Sequence, residues 1–277
     1  MIAFLRRKLD EIRGSGEAAV TVPSMDGALK PNRLLEDAAV VLDAPRPDQI
    51  VERDGDVLYS SGTGIFDLSG AEKYRFDAEV SALAAAPGGA LAVGLADGTV
   101  RIIGGPHDGA LPKMTCPVAL VFDGPDTLYI ANGSDTFGPA DWKHDLMRRG
   151  ASGSVHRVDL STGKGERLMD HLAWPYGLGL SPKGFVVAES WRHRLRLRTP
   201  EGQVRTVLSD LPAYPARLAP AASGGWWLAL FAPRNPLIEF ILREPDFRDR
   251  MMEEIDPEHW AAPALVKDDT SMRPLQG

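Results

Sequence analysis

Cysteine, long apolar runs and an excess of positive charge are all missing from this sequence. Its 277 residues include one cysteine, Cys116, so an internal disulfide is excluded and a reducing compartment is expected. The opening residues MIAFLRRKLDEIRG contain no apolar stretch long enough for a signal peptide or a membrane span. These absences together predict a cytoplasmic protein.

Basic surfaces and familiar catalytic motifs are also missing. The net charge is −7, which repels phosphate backbones, and no Lys/Arg run is interleaved with aromatic residues, so we do not expect nucleic-acid binding. The sequence has no Gly-x-Ser-x-Gly elbow, no phosphate-binding glycine loop and no His-Glu-x-x-His motif. Serine-hydrolase and nucleotide chemistry are therefore not supported.

What the sequence does contain is a repeat. Its 28 glycines and 22 prolines fall mostly between short apolar runs, as the turns of an all-β chain require. A short apolar strand, a turn with small residues and a second, alternating strand recur five times, and the copies begin at Asp56, Ala90, Thr127, Phe185 and Trp226. The period of about 40 residues is typical of four-stranded propeller blades.

Two segments interrupt this repeat with helical periodicity. They are residues 141–149 inside the third copy and residues 235–255 after the fifth. We expect both to cap one face of the propeller, which would then be the functional face. Residues 1–17 form a third such segment, where Ile2, Leu5 and Leu9 share a face opposite basic residues. This pattern predicts an amphipathic helix, either docked on the protein or lying on a membrane surface.

The stretch from Trp174 to Leu237 carries a family resemblance. Its motifs W-P-Y-G-L-G-L-S-P, V-A-E-S, L-P-A-Y-P-A-R-L and G-G-W-W-L-A are similar, over about sixty positions, to the signature region of the strictosidine synthase-like family. That family is related to the SMP-30/gluconolactonase and paraoxonase-type lactonases. Upstream, CPVALVFDGPDTLYIANGS and GSVHRVDLSTGKGERL also fit, so the resemblance extends over most of the chain.

The resemblance implies an all-β fold, a six-bladed-type β-propeller of four-stranded antiparallel blades with helical insertions on one face. We expect residues 18–277 to form this one domain, with a helical cap and tail at 235–277 and the last blade incomplete. A partner chain that completes the propeller is one way to close it. The blades are predicted near residues 46–80, 81–115, 116–173, 174–212 and 213–243.

The resemblance also bears on metal binding. Lactonase relatives hold calcium or another divalent cation on the propeller axis, and Asp48 and Asn132 match two of their ligands. Tyr176 and the pair Ala216-Arg217 stand where the other ligands would be. We therefore expect no cofactor and a pocket in which Arg217 binds an anionic group, with a calcium site as the alternative. Asp48 and Asn132 would otherwise cap turns or strand ends.

Further candidate site residues follow from their positions in the repeat. Glu189 and His144 are candidate catalytic acids or bases, although Glu189 could equally be a buried ion-paired carboxylate and His144 a solvated lid residue. The catalytic glutamate of strictosidine synthases cannot be assigned to any position. We expect the substrate pocket to be lined by Tyr176, Arg217, Trp191, Arg234 and Asn235.

These observations predict an enzyme that acts on a small molecule in an axial pocket. The reaction would be hydrolysis of a lactone or ester, or a related metal-free condensation. The alternative is a non-catalytic propeller with an eroded metal site that binds a partner or, through residues 1–17, a membrane surface.

Overall fold

The computed structural model describes residues 21–23, 29–30 and 32–264. The predicted amphipathic helix at residues 1–17 lies outside these ranges. Residues 32–49 contain no strand, and the first strand begins at Ile50. The description of the propeller therefore starts with the first copy of the repeat.

Eighteen strands in the described part of the chain form five antiparallel sheets. The first sheet contains β1 (Ile50–Arg53), β2 (Asp56–Ser61), β3 (Gly64–Asp67) and β4 (Glu72–Arg75). The second contains β5 (Val80–Ala85), β6 (Leu91–Leu95), β7 (Val100–Ile103) and β8 (Gly109–Ala110). The third contains β9 (Pro117–Phe122), β10 (Thr127–Asn132), β11 (Gly153–Asp159) and β12 (Lys164–Leu172). The fourth contains β13 (Pro175–Ser181), β14 (Gly184–Glu189), β15 (Arg194–Arg198) and β16 (Val204–Leu208).

Successive sheets are arranged around a common axis. In each sheet the strands follow one another in chain order, and the first strands of neighbouring sheets contact each other: β1 with β5, β5 with β9, β9 with β13, and β13 with the first strand of the fifth sheet, β17 (Ala213–Pro220). The innermost strands thus line the axis. The predicted all-β propeller of four-stranded antiparallel sheets is confirmed.

The fifth sheet has only two strands, β17 and β18 (Trp226–Pro233). We expected the incomplete blade to follow the fifth copy, whereas in the described residues the fifth sheet itself is already short. Among the residues that the structure describes, no further strand lies beside the outer strand β18, and Trp227 is 72% exposed. A partner chain that completes this side of the propeller stays a prediction.

The core lies between neighbouring sheets. Every residue of β6 is buried, because its alternating side chains enter two different clusters. Leu91 and Val93 pack with Ile65 of the first sheet, whereas Ala92 packs with Leu128 of the third. A strand covered on both faces loses the polar half of its alternation, which explains its continuous apolar sequence.

The helical insertions meet on one side of the molecule. The first contains a 3-10 turn at Pro139–Asp141 and helix α1 (Trp142–Met147), and the second contains α2 (Pro236–Ile241) and α3 (Pro245–Glu254). The predicted helix at 235–255 is thus two helices, because Pro245 lacks an N–H and begins a new one. The insertions share an apolar cluster formed by Leu146, Met147, Ile238, Ile241, Met251 and Trp260. None of the helices in the described ranges is long and apolar enough to cross a membrane.

Candidate functional site: an axial cavity beneath the lid helix

Arg217, in β17, extends its guanidinium group across the propeller axis. The group donates hydrogen bonds to the backbone oxygen of Val118 in β9 and, at 3.3 Å, to that of Ser81 in β5. It also lies 3.1 Å from a carboxylate oxygen of Asp48, in the segment that leads into β1. Three other parts of the propeller therefore supply acceptors to one side chain.

The remaining sheet contacts the same guanidinium through an aromatic ring. Tyr176 of β13 places its ring centroid 4.5 Å from the guanidinium carbon of Arg217, a cation–π distance. The Gln49 side-chain amide lies next to the same guanidinium, and its oxygen would accept a hydrogen bond from Arg217 when turned toward it. Arg217, which belongs to the fifth sheet, thus contacts the second, third and fourth sheets and the segment that leads into the first, as expected for a residue on the axis.

A glycine allows the two strands that carry Tyr176 and Arg217 to approach closely. A Cβ atom at Gly177 would lie 2.0 Å from the backbone oxygen of Ala216, a distance that real side chains do not tolerate. Any other residue would therefore push β13 away from β17. The residue type at position 177 is thus part of what brings the ring against the guanidinium.

Above Arg217 lies a cavity of about 280 Å³. The guanidinium and the carboxylates of Asp48 and Glu79 line it, together with five aromatic side chains, those of Trp142, Trp174, Tyr176, Trp191 and Phe231. The rings support one another: Trp174 and Trp191 are stacked with centroids 5.3 Å apart, and Trp142 meets Phe231 edge-on at 5.0 Å. Trp142 belongs to α1, so this helix forms a lid over the cavity.

Several predicted residues do meet in this cavity. Tyr176, Arg217 and Trp191, which we expected to line a substrate pocket, all contribute to its wall, as does Asp48. Burial raises the pKa of Tyr176, while the nearby guanidinium lowers it. Sequence reasoning missed the contributions of Trp174 and Phe231 to this wall, although Trp174 opens the W-P-Y-G-L-G-L-S-P motif that also contains Tyr176.

The two candidate metal ligands have different surroundings. Asp48 faces the cavity beside Arg217, whereas the Asn132 amide oxygen accepts from the Cys116 backbone N–H at 2.7 Å and its nitrogen donates to Asp135. Within the described residues, no group of three or more His, Cys, Asp or Glu side chains is arranged to hold a metal. A divalent cation at the axis would have to share Asp48 with the guanidinium, whose charge opposes it.

Glu189 lies outside the cavity lining, in a charged cluster of its own. Its fully buried carboxylate accepts from the Ala173 backbone N–H at 2.9 Å, from Arg192 at 2.7 Å and from Arg194 at 2.6 Å. This is the ion-paired arrangement that we considered as its alternative role. A carboxylate bonded in this way is poorly placed to exchange protons with a substrate.

His144 also lies outside the cavity lining, on the lid helix. Its ring is stacked near Phe137, with centroids 5.8 Å apart, and meets the Trp260 ring edge-on at 4.7 Å. The imidazole therefore links α1 to the C-terminal side of the helical cap. Its catalytic role stays a prediction.

Arg234 and Asn235 belong to a buried polar cluster at the start of α2. Asn235 caps the helix by accepting from the Leu237 N–H at 2.9 Å, and Arg234 donates to Asp210 at 2.9 Å. Next to them the Tyr214 hydroxyl donates to Glu239 at 2.6 Å. Neither Arg234 nor Asn235 is among the residues that line the axial cavity.

Two ionisable groups of that cluster have shifted pKa values. Burial lowers the pKa of His193 from 6.5 to about 3, and burial raises the pKa of Glu239. Both shifts disfavour the charged form, as desolvation does. The neutral imidazole packs edge-on against the Tyr214 ring, with centroids 4.5 Å apart, and Tyr214 in turn meets the ring of Trp191 in the cavity wall at 6.0 Å.

A second opening lies between the third and fourth sheets. This groove of about 660 Å³ is lined by residues that include Tyr129, Arg157, Glu166, Phe185 and Arg198. Arg157 and Glu166 form an exposed ion pair at 2.9 Å. None of the predicted site residues lines the groove, and its walls come from only two sheets.

No family model matches this sequence. Curated proteins do: the adipocyte plasma membrane-associated protein of Danio rerio is 28% identical over 128 residues, and the Arabidopsis thaliana protein strictosidine synthase-like 1 is 28% identical over 125 residues. This chain is homologous to the strictosidine synthase-like family. Each match covers 43% of the chain and 31% or 32% of the relative, so the chain spans about a third of the length of the curated relatives it matches.

Solved structures share the propeller fold of this chain. Virginiamycin B lyase from Staphylococcus aureus superimposes with a TM-score of 0.50 at 14% identity, covering 67% of this chain and 64% of the lyase. A chain of the nidogen/laminin complex superimposes with a TM-score of 0.51 at 15% identity, covering 64% of this chain and 68% of that one. At such identities the likeness concerns the fold alone.

Proposed function

We propose that this strictosidine synthase-like chain binds a small organic molecule in the axial cavity and hydrolyses a lactone or ester bond there. One observation carries the proposal: a carboxylate and a guanidinium, those of Asp48 and Arg217, lie side by side beneath a lid in an aromatic-walled cavity. Apolar walls with a few fixed polar groups are typical of small-molecule sites.

The two charged groups have complementary roles in this reaction. Asp48, whose side chain is 46% exposed, takes a proton from a water molecule as the water oxygen bonds to the carbonyl carbon. The positive charge of Arg217 stabilises the negative oxygen of the tetrahedral intermediate. The intermediate then collapses with cleavage of the C–O bond, and the leaving oxygen takes the proton back from Asp48.

We further propose that this chemistry needs no divalent metal. The argument is positional: the Arg217 guanidinium already lies among the oxygen acceptors of Asp48, Ser81 and Val118, so a positive charge is present where an axial cation would bind. Calcium held by Asp48 is the alternative. Hydrolysis that is unchanged by a chelator and by added calcium would support the metal-free proposal.

A hydrolysis panel tests the proposed function. Purified protein is assayed against lactones of several ring sizes and p-nitrophenyl esters of several chain lengths. We expect Asp48→Asn to reduce kcat at least about a hundredfold, the range of general-base catalysis. The matched control is Asp126→Asn, which removes an exposed carboxylate paired with His107 and should leave the rate unchanged. Absence of turnover across the panel, or equal rates in both variants, would contradict hydrolysis at this site.

A specific observation favours a second candidate, a binding propeller without catalysis. The Arg217 guanidinium is already surrounded by acceptors of its own chain, so it has little capacity to bond a substrate oxygen directly. In this case panel compounds would raise the Tm of the protein without being converted. The metal-free condensation of the synthases is a third outcome, which mass spectrometry of an amine and aldehyde mixture would detect.

Membrane association is proposed separately from the reaction. It is supported by the name of the relatives, plasma membrane-associated proteins, and by the basic amphipathic pattern of residues 1–17. Co-sedimentation with phosphatidylserine vesicles tests it, with phosphatidylcholine vesicles as the control. We expect Leu5→Glu to abolish binding, and equal recovery of the variant and the parent would contradict the proposal.

A further inference from the structure

Asp145, in the lid helix α1, is a buried carboxylate just behind the cavity wall. Only 2% of the residue is exposed. One carboxylate oxygen accepts from the indole N–H of Trp191 at 2.8 Å, and the nearby Ser134 hydroxyl favours the charged form of the carboxylate. Asp145 forms no ion pair with any residue in the part of the chain that the structure describes.

Burying a carboxylate costs free energy unless hydrogen bonds replace its lost hydration. Burial raises the pKa of Asp145, whereas the hydrogen bond from Trp191 and the nearby Ser134 hydroxyl lower it, so both groups partly offset the loss of hydration. The chain also leaves space for the group: a Cβ atom at Gly150 would lie 2.3 Å from a carboxylate oxygen of Asp145. Local sequence and packing therefore both accommodate this charged acceptor.

The indole that Asp145 holds is itself part of the cavity wall. Trp191 lies in a 3-10 turn directly after β14, lines the cavity and is stacked on Trp174. Its N–H is the group that reaches α1. The position of the ring is thus fixed on one side by stacking and on the other by a hydrogen bond to the lid.

Other contacts of the lid helix are less directional. Leu146 and Met147 enter the apolar cluster of the helical cap through non-directional packing, and Lys143 bonds to the backbone oxygen of Pro257. Among the described residues, the Asp145–Trp191 bond is the side-chain hydrogen bond that joins α1 to the fourth sheet. The same helix supplies Trp142, whose ring centroid lies 6.2 Å from that of Trp191.

We propose that Asp145 is a positioning residue: through the indole of Trp191 it fixes the lid helix over the axial cavity and sets the distance between two of the cavity's aromatic walls. It does not touch a ligand in this role. It determines which ligands fit, because Trp142 and Trp191 move apart when the bond is lost. The kinetic consequence rests on the proposed function, whereas the attachment of the lid does not.

The first experiment measures attachment without any substrate. In protein labelled with ¹⁵N-tryptophan, the Trp191 indole signal is assigned from Trp191→Phe and its hydrogen exchange is followed by NMR. We expect Asp145→Ala to speed exchange of this indole N–H and of backbone amides in residues 138–150 at least about tenfold, since a bond to a charged acceptor is lost. Asp145→Asn, which keeps an acceptor oxygen, should restore most of the protection.

The result that would overturn the proposal is unchanged exchange at both places in folded Asp145→Ala protein. Glu166→Ala, which removes an exposed carboxylate in the distant groove, is the matched control and should leave both places protected. If Asp145→Ala does not fold, Trp191→Phe decides the matter, because it removes the same bond while keeping an aromatic wall. Unchanged lid exchange in Trp191→Phe would then contradict the proposed attachment.

The second experiment uses p-nitrophenyl acetate as the probe. We expect Asp145→Ala and Trp191→Phe each to raise KM about tenfold with a smaller change in kcat, and the double variant to resemble either single variant, because both remove the same bond. Independent, multiplying effects would contradict positioning through Trp191. If the parent protein hydrolyses no ester, the proposed function fails, and the exchange experiment still decides the role of Asp145.

Discussion

The axial cavity and the groove between the third and fourth sheets are two openings of very different construction. The groove is larger, about 660 Å³ against about 280 Å³. Its ion pair, Arg157 with Glu166, is 51% and 58% exposed, whereas the side chain of Arg217 in the cavity is 21% exposed and has acceptors from several sheets.

This difference teaches that the larger opening is not the one with the more firmly held charges. Exposed ion pairs are screened by water and contribute about 0–1 kcal/mol. The charges in the groove therefore create no electrostatic field of fixed direction. A guanidinium held by several acceptors under a lid keeps its orientation and acts in a less polar medium. The predictions that follow test this contrast, beginning with the largest effect.

Arg217→Ala should cause the greatest loss. Removing the guanidinium takes a donor from the backbone oxygens of Ser81 and Val118 and the ion-pair partner from Asp48, and we expect the unfolding free energy to fall by about 3 kcal/mol. Urea denaturation measures it. Arg217→Lys keeps the charge but reaches fewer acceptors. Its unfolding free energy should lie between those of the parent protein and the alanine variant. A loss below about 0.5 kcal/mol in the alanine variant would mean that the contacts of Arg217 stabilise the protein no more than an exposed ion pair of the groove does.

Gly177→Ala should have the next largest effect. The new methyl group would meet the backbone oxygen of Ala216 at 2.0 Å, so two strands must separate, at about 2 kcal/mol. Gly179→Ala is the matched control, since its methyl group would meet the Trp226 ring, a side chain that can rotate. Calorimetry should show a larger fall in Tm for position 177, and the reverse order would contradict the close approach at the axis.

Acidification should act on the cavity side of the molecule through His193. Its pKa is about 3 in the folded protein and about 6.5 when unfolded. The unfolded state therefore binds the extra proton between these values, and stability falls as pH drops below about 6.5. Between pH 7 and pH 5.5 we expect the parent protein to lose about 1 kcal/mol of unfolding free energy through His193. The His193→Asn variant should not show this loss. Parallel stability curves for parent and variant would contradict a neutral, buried imidazole.

Arg157→Ala in the groove should have the smallest effect. The pair with Glu166 is exposed on both sides, so we expect a stability change within about 0.5 kcal/mol and an unchanged rate of ester hydrolysis. Urea denaturation and the p-nitrophenyl assay measure the two quantities. A loss of activity here would move the functional site from the cavity to the groove.

Local patterns made much of the fold predictable. The helical segment at residues 235–255 was the exception. Pro245 indicates a break, yet the apolar spacing of the segment was interpreted as one helix. The lid helix α1 falls within the predicted segment at residues 141–149. Such elements are predictable because helical periodicity and strand alternation can be recognised from residues that are neighbours in the sequence.

The bonding of the site was less predictable. Arg217 was identified from its position in the repeat, but its acceptors include backbone oxygens of Ser81 and Val118, and a carbonyl group carries no residue-type signal. Asn132 shows the converse. Its residue type suits a metal ligand, whereas its amide oxygen accepts from the backbone of Cys116, a use that the sequence does not distinguish.

The bonds of Arg217 also have a consequence for the order of folding. They join residues that are 99, 136 and 169 positions apart in the chain. During synthesis Asp48 leaves the ribosome long before its partner exists, and contacts of such range form late because the intervening chain must be ordered first. A substitution at Arg217 should therefore accelerate unfolding more than it slows folding. The axial cavity would then be assembled last, once every sheet has taken its place.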